Sequence, residues 1–372
     1  MICFGFRASN LVFNQFMDKK VQKLIETSIQ IIKDASLENG AIVAANSDKE
    51  YYPRQAKDYH YVWPRDAAYI CVAAQMAGIR TIQEPFFHWL NYRPENFKKE
   101  GLLFANYSTN GRMEVDQFQP DQAGSVLWAI YNFYKDDLAK AEKQEVVIRR
   151  LADGLCSEWR GKYFFKNTVD LWEESNRKTS TRMENNHTYS LAACAKGLLL
   201  AHKMLGNIEW EDVARQMIER IDDSYDHKQK RFLRNHGRID DPNIDASLLG
   251  LTYPFEIILP DDARMIQTVS AIEKNITING GVHRFQFDYY DGEGSAQEGA
   301  GAWPILNFWM SIYYSLRNDR KKSEAYFMWV VEKIKDDYMI PEQIFSDFRE
   351  GIRPLVWSHA MFLIASKYLG YL

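Results

Sequence analysis

Hydrophobic positions along this 372-residue chain recur mostly at helical spacing. Val21, Leu24, Ile25, Ile29 and Ile32 fall at i, i+3, i+4, i+8 and i+11, one apolar stripe on an otherwise charged segment. Five stretches, 67–78, 123–134, 188–205, 302–316 and 355–369, are instead apolar on almost every face. Between them run segments such as 143–155, 210–221 and 321–335, with Lys and Glu on one side. A helix that is apolar all round must be covered by protein, whereas an amphipathic one faces water. The alternation predicts an inner and an outer layer of helices. Period-2 alternation is scarce, and 163–165 and 283–290 are the best short strand candidates. No Pro/Gly/Ser-rich linker, low-complexity block or fixed-period repeat divides the chain. One all-α domain with long loops is expected.

Composition narrows the classes of partner. Hydrophobic residues make up 46% and charged residues 26%, enough apolar surface for a large core. The formal net charge is −4 with no long basic run, which argues against nucleic acid or an anionic membrane. No stretch approaches the roughly 18–20 apolar residues of a membrane span. The start, MICFGFRASNLVF, has no charged n-region or cleavage site, so a soluble, cytoplasmic protein is expected. Cys3, Cys71, Cys156 and Cys194 form no CxxC pair; Cys71 and Cys194 sit in apolar helical stretches and read as buried free thiols. The eight His residues are dispersed without metal-ligand spacing, and no metal or cofactor is expected. Oligomeric state leaves no readable pattern.

The chemistry lies in the segments between the apolar stretches. Those at 46–63, 104–122, 167–186, 280–303 and 336–354 exceed what joining two helices requires, and such loops tend to be functional. Asp170-Leu171-Trp172-Glu173-Glu174 sets two carboxylates beside a tryptophan, matched far downstream by Pro341-Glu342-Gln343. Cleaving a glycosidic bond needs one protonated carboxyl for the leaving oxygen and one ionised to activate water or attack the sugar. An indole beside the first would desolvate it and raise its pKa. Glu-Glu pairs also occur on solvated helix faces, so the motif needs company.

Tyr59-His60-Tyr61-Val62-Trp63-Pro64-Arg65-Asp66 supplies it, opening the apolar stretch from 67. Asp66 could be a helix cap. Equally, an Asp and an Arg in a cleft give an acceptor and a fork of donors suited to the hydroxyl rim of a terminal sugar, with rings for stacking. Asn185 and Asn186 could cap the helix from 188. The Gly-rich run after Gly280-Gly281-Val282-His283-Arg284 is not a phosphate loop, since no GK[ST] follows. Its small residues allow close backbone approach.

Taken in order, YHYVWPRDA, DLWEE, GGVHRF with a downstream GAW, and PEQ with WSHA resemble glycoside hydrolase family 15, the glucoamylase family. NGAIVAANS at 39–47 and DASLLGLTYPFEIILPDDAR at 245–264 are similar to its prokaryotic branch, and the likeness runs from about residue 20 to the C-terminus. The resemblance implies an (α/α)6 barrel with its site in a funnel at one end. It implies an inverting, exo-acting hydrolase that releases glucose from non-reducing ends of α-1,4 or α-1,6 gluco-oligosaccharides. By the same resemblance Glu173 is the general acid and Glu342 the general base. Arg65, Asp66 and Arg284 bind hydroxyls of the terminal glucose. Trp63, Trp172 and Trp303 wall the innermost subsites, Tyr59 lies near the attacking water, and Glu174 supports the acid. Inversion implies carboxyl groups roughly 6.5–9.5 Å apart, with water between them.

Departures from the family pattern shape the expectation further. Residues 1–20 read as an extension and 21–372 as the catalytic domain, without the branch's usual N-terminal β-sandwich, which favours short oligosaccharides over starch. Thr168-Val169 precede DLWEE in place of the usual Gly-Tyr. GEGSAQEGAGAW is similar to the family's trehalase-like members, which keeps trehalose open and makes Glu298 the competitor of Glu342. A non-catalytic, carbohydrate-sensing barrel is the alternative from another class. A uronide hydrolase or lyase, with Arg65 and Arg284 holding a uronate, is a third.

Overall fold

The computed structural model describes residues 4–174, 177–288, 300–347 and 349–372, with side chains from Met17 onward. From the N-terminus the helices are α1 (Phe4–Ala35), α2 (Pro64–Met76), α3 (Gln83–Tyr92), the one-turn α4 (Phe97–Glu100), α5 (Pro120–Tyr134) and α6 (Glu145–Glu158). Then come α7 (Thr188–Leu205), α8 (Ile208–Asp223), α9 (Ala263–Asn275), α10 (Pro304–Leu316), α11 (Arg320–Lys333) and α12 (Val356–Leu369). Helices α2, α5, α7, α10 and α12 are buried over most of their residues, while α6, α8, α9 and α11 bury one stripe. The buried set packs side by side in the cycle α2, α5, α7, segment 246–251, α10, α12 and back to α2. This closed ring of six inner members, with outer helices against its flanks, is the expected (α/α)6 barrel.

The fourth inner position differs from its neighbours. Ala246–Leu251 is a short 3-10 helix, fully buried, capped by Asp245 accepting from Ser247 N–H at 2.7 Å. Helix α1 extends back to Phe4, well ahead of the apolar stripe that begins at Val21.

The strand candidates did not form as expected. Phe164 makes a single bridge to Trp159, and residues 283–288 contribute one bridge, Phe285 to Asp245; 289 and 290 lie outside the described residues. Asp66 is not a cap: Trp63 holds the N-cap position of α2, Pro64 begins the helix, and Asp66 sits in its first turn. Asn185 and Asn186 do not cap α7, whose N-cap position is His187; their amides bond Asn235 and the Lys162 carbonyl instead. Cys71 and Cys194 are buried free thiols, as expected. Among the described residues no helix is long and apolar enough to cross a membrane.

An antiparallel hairpin, β1 (Phe104–Tyr107) with β2 (Met113–Phe118), occupies the segment before α5. It matters because Val62 exchanges two backbone bonds with Tyr107, at 2.7 and 2.9 Å. The carbonyls of Tyr59 and Tyr61 accept from Ala45 and Ala44, so the aromatic segment ahead of α2 is laced on both sides.

Helices α5 and α7 cross in close backbone contact. A Cβ on Gly124 would lie 2.2 Å from the Ala193 carbonyl oxygen, and one on Gly197 2.7 Å from Gly124 Cα. Two facing glycines let the backbones touch, and any side chain forces the inner ring apart. Gly124→Ala should therefore destabilise the fold by at least about 2 kcal/mol in urea denaturation. An unchanged midpoint would show that the ring tolerates a wider crossing.

Candidate active site

A cavity of about 580 Å³ opens at the end of the ring where the inner helices begin. Its wall includes Tyr59, Trp63, Arg65, Asp66, Trp172, Glu173, Glu174, Arg284, Trp303 and Glu342. All ten residues singled out from sequence thus share one concavity, although they lie as far apart in the chain as 59 and 342. Glu298 lies outside the described residues.

Glu173 is held by donors from two other segments. Its Oε1 accepts from the Trp63 indole N–H at 2.7 Å and from Gln119 Nε2 at 3.1 Å. The indole bonded to Glu173 is therefore Trp63's, not that of its neighbour Trp172, which donates to both oxygens of Asp245 at 3.1 and 3.2 Å. Trp172 meets Trp303 edge-on at 5.5 Å, and the two rings form a wall. The Glu173 backbone has φ +62°, a left-handed conformation that costs a non-glycine residue about 1–3 kcal/mol.

Asp170 secures that turn. Its carbonyl accepts from Glu173 N–H at 3.1 Å, while Oδ1 accepts from Trp172 and Glu174 N–H at 3.1 and 3.4 Å. Burial opposes charge on Asp170, but Arg234, 2.7 Å away, and His187 outweigh it and hold the carboxyl below its ordinary range. Arg234 also reaches Asp245 at 3.3 Å; there burial outweighs the arginine and raises the carboxyl pKa. Glu174 bonds Arg284 at 3.4 Å, and burial raises its carboxyl despite that partner.

Glu342 accepts from the Tyr59 hydroxyl at 3.3 Å, and its backbone N–H bonds the Ile352 carbonyl at 2.8 Å. Paired bonds between Ala302 and Ile344, at 2.8 and 3.0 Å, tie its loop to the segment bearing Trp303.

Both conspicuous arginines are already neutralised. Arg284, almost wholly buried, is gripped at two points by Asp288 at 2.7 and 2.8 Å and lies about 5 Å from the Trp303 ring. Arg65 bonds Asp66 at 3.2 Å, Asp121 at 3.3 Å and Gln119 at 3.1 Å. Burial pushes Asp66 up to about 6 and Asp121 likewise to about 6; Arg65 opposes both shifts, and nearby Glu173 adds to that of Asp66.

Sequence reasoning missed Gln119, Asp121, Arg234, Asp245 and Asp288, and also Arg177, which lines the cavity while bonding Asp241 at 3.3 Å. Gln119, Asp121, Arg177 and Asp288 fall in the long segments 104–122, 167–186 and 280–303, and Asp245 opens DASLL, but no motif marked them individually.

Comparison with known proteins agrees with this architecture. The model of glycosyl hydrolases family 15 matches residues 16–114 and 97–324. The chain belongs to that family. Glu342 lies beyond the matched span. An uncharacterized glycosyl hydrolase of Methanocaldococcus jannaschii is 31% identical over 372 residues, covering 93% of this chain and 56% of that protein. The chain thus spans little more than half of that relative. The isomaltose glucohydrolase of Kribbella flavida is 23% identical over 84% of this chain and 85% of its own length. A trehalase of Thermoplasma acidophilum is 25% identical over 77% of this chain and 51% of its own. Among solved structures, a wild-type glycosidase superposes with TM-score 0.77 at 22% identity, covering 95% of this chain and 98% of that one. A bacterial glucoamylase complexed with acarbose gives 0.74 at 19%, covering 93% and 55%. These likenesses show a shared fold.

The raised Asp66 carboxyl has a measurable sign. Its folded pKa, about 6, exceeds the ordinary 3.8, so the folded state holds the extra proton between those values. The stability this lends is complete below about pH 4 and is lost as pH rises through 6. Asp66→Asn should therefore gain on the parent between pH 4 and pH 7, by roughly 2–3 kcal/mol in urea titrations at the two pH values. A difference independent of pH would show that Asp66 ionises normally.

Proposed function

We propose that the protein is an inverting, exo-acting glycoside hydrolase that releases glucose from the non-reducing end of short α-gluco-oligosaccharides, with Glu173 as general acid and Glu342 as general base. The observation that carries this reading is the placement of both carboxylates on one cavity, each held differently. Two donors converge on Oε1 of Glu173, which leaves Oε2 to carry the transferable proton. Glu342 accepts from the Tyr59 hydroxyl and faces the same cavity, where it would draw a proton from the attacking water. Arg65 and Asp66 offer donors and an acceptor for the hydroxyls of the sugar between them. Trp172 and Trp303 present a wall for its ring.

The other readings fare less well on the same geometry. A uronate would need an uncommitted cation, yet Arg65 faces Asp66 and Asp121, and Arg284 faces Asp288 and Glu174. A sensing barrel would not require two carboxylates on one cavity. Within the hydrolase class an α-1,6- or α-1,4-linked gluco-disaccharide is the proposed substrate and trehalose the alternative; relatives named isomaltose glucohydrolase and trehalase both match this chain. A cavity of about 580 Å³ falls within the range of small-ligand pockets.

The test is incubation with isomaltose, maltose and trehalose while the released anomer is followed by NMR. β-Glucose should appear first from isomaltose or maltose. Failure to release glucose from all three, or α-glucose as the first product, would overturn the reading. Glu173→Gln and Glu342→Gln should each lower kcat on the order of 10²–10⁴-fold. Full activity in either would remove that residue from its role.

A further inference from the structure

We propose that His359 and Ser358, in the first turn of α12, are positioning residues that hold the Pro341–Glu342 segment where Glu342 can activate water; this rests on reading Glu342 as the base. His359 is completely buried and spans two elements. Its Nε2 accepts from Ile340 N–H at 3.0 Å, and its Nδ1 meets Ser28 Oγ of α1 at 2.8 Å. Accepting at Nε2 fixes the neutral tautomer with the proton on Nδ1, so the ring donates to Ser28. Ser358 Oγ donates to the Pro341 carbonyl at 2.9 Å. Leu355 N–H, ahead of α12, donates to the Ile340 carbonyl at 3.0 Å. Residues 340 and 341 are thus pinned to the start of α12, and 342 inherits that position through Pro341, whose φ is fixed by its ring.

Neither side chain lines the cavity, although Trp357 of the same turn does. Any effect on catalysis must therefore pass through the backbone that carries Glu342. Burial pushes the His359 imidazole down to about 3, so it stays neutral over ordinary pH. A protonated ring would set an N–H against the Ile340 N–H and break the latch.

Misplacing a catalytic group by about 1 Å costs up to about 10²-fold in rate. His359→Leu keeps the bulk and removes the acceptor, so kcat on the disaccharide substrate should fall about 10–100-fold with KM nearly unchanged. α-Glucosyl fluoride separates base from acid, because fluoride departs without a proton donor while water still needs a base. The His359→Leu loss should persist on the fluoride and follow Glu342→Gln; Glu173→Gln should be largely relieved there. His359→Gln can accept from Ile340 and donate to Ser28, and should recover most of the lost kcat. Ser358→Ala should show the same pattern with a smaller loss, and it carries the test where His359→Leu does not fold. Unchanged kcat in folded His359→Leu or in Ser358→Ala, a loss expressed in KM, or a loss that vanishes on the fluoride would each overturn the proposal. Full turnover in Glu342→Gln would overturn the base assignment itself, an outcome distinct from failure of the latch.

Discussion

The structure depends on gathering the beginnings of the inner helices at one end of the ring. Pro64, Pro120 and Pro304 open α2, α5 and α10, where a missing N–H costs nothing because the first N–H groups of a helix have no partner within it. Each first turn adds partial positive charge, which favours carboxylates. Asp66 and Asp121 occupy two of those turns, and burial there works against ionisation. Arg65 is the mediator: set between the two acids, it limits how far burial raises them while keeping its own charge. Remove the ring and neither the convergence nor the desolvation survives, so fold and site are one constraint.

The two carboxylates proposed as acid and base are held by different physics. The turn bearing Glu173 is strained and fixed by a buried ionic cluster of Asp170, Arg234 and Asp245, in which loss of one partner strands a charge. The loop bearing Glu342 is fixed by backbone bonds to His359 Nε2 and the Ile352 carbonyl and by the Ser358 hydroxyl, which donates to the Pro341 carbonyl.

How much of this could be read from the sequence follows from the range of each interaction. Apolar periodicity is local, and it located α7 at its observed limits and the other inner helices within a few residues. It missed α3, where Pro85 interrupts the first turn and aromatic residues crowd more than one face, and the hairpin of β1 and β2, whose outer strand is largely half-buried and polar. It did not mark the fourth inner member, since the six-residue 3-10 helix Ala246–Leu251 is too short to show a helical period. The strand expected over 283–290 has the alternation, yet Phe287 adopts a positive φ and turns the chain out of line.

The site shows the same division more sharply. The ten residues expected to meet substrate carry conspicuous chemistry in compact motifs, and all ten line one cavity. The residues that hold them are ordinary in their local context and act across the chain: Gln119 on Glu173 from 54 positions away, Trp63 on Glu173 from 110, Arg234 on Asp170 from 64. No local pattern encodes such pairings, since each partner is specified by ring closure rather than by its neighbours in sequence. The two tryptophans make the point. Trp172, adjacent to Glu173 in the chain, is drawn to Asp245, and Trp63, distant in sequence, supplies the indole N–H that Glu173 accepts. The motif announces which carboxylate matters, and the barrel decides what surrounds it.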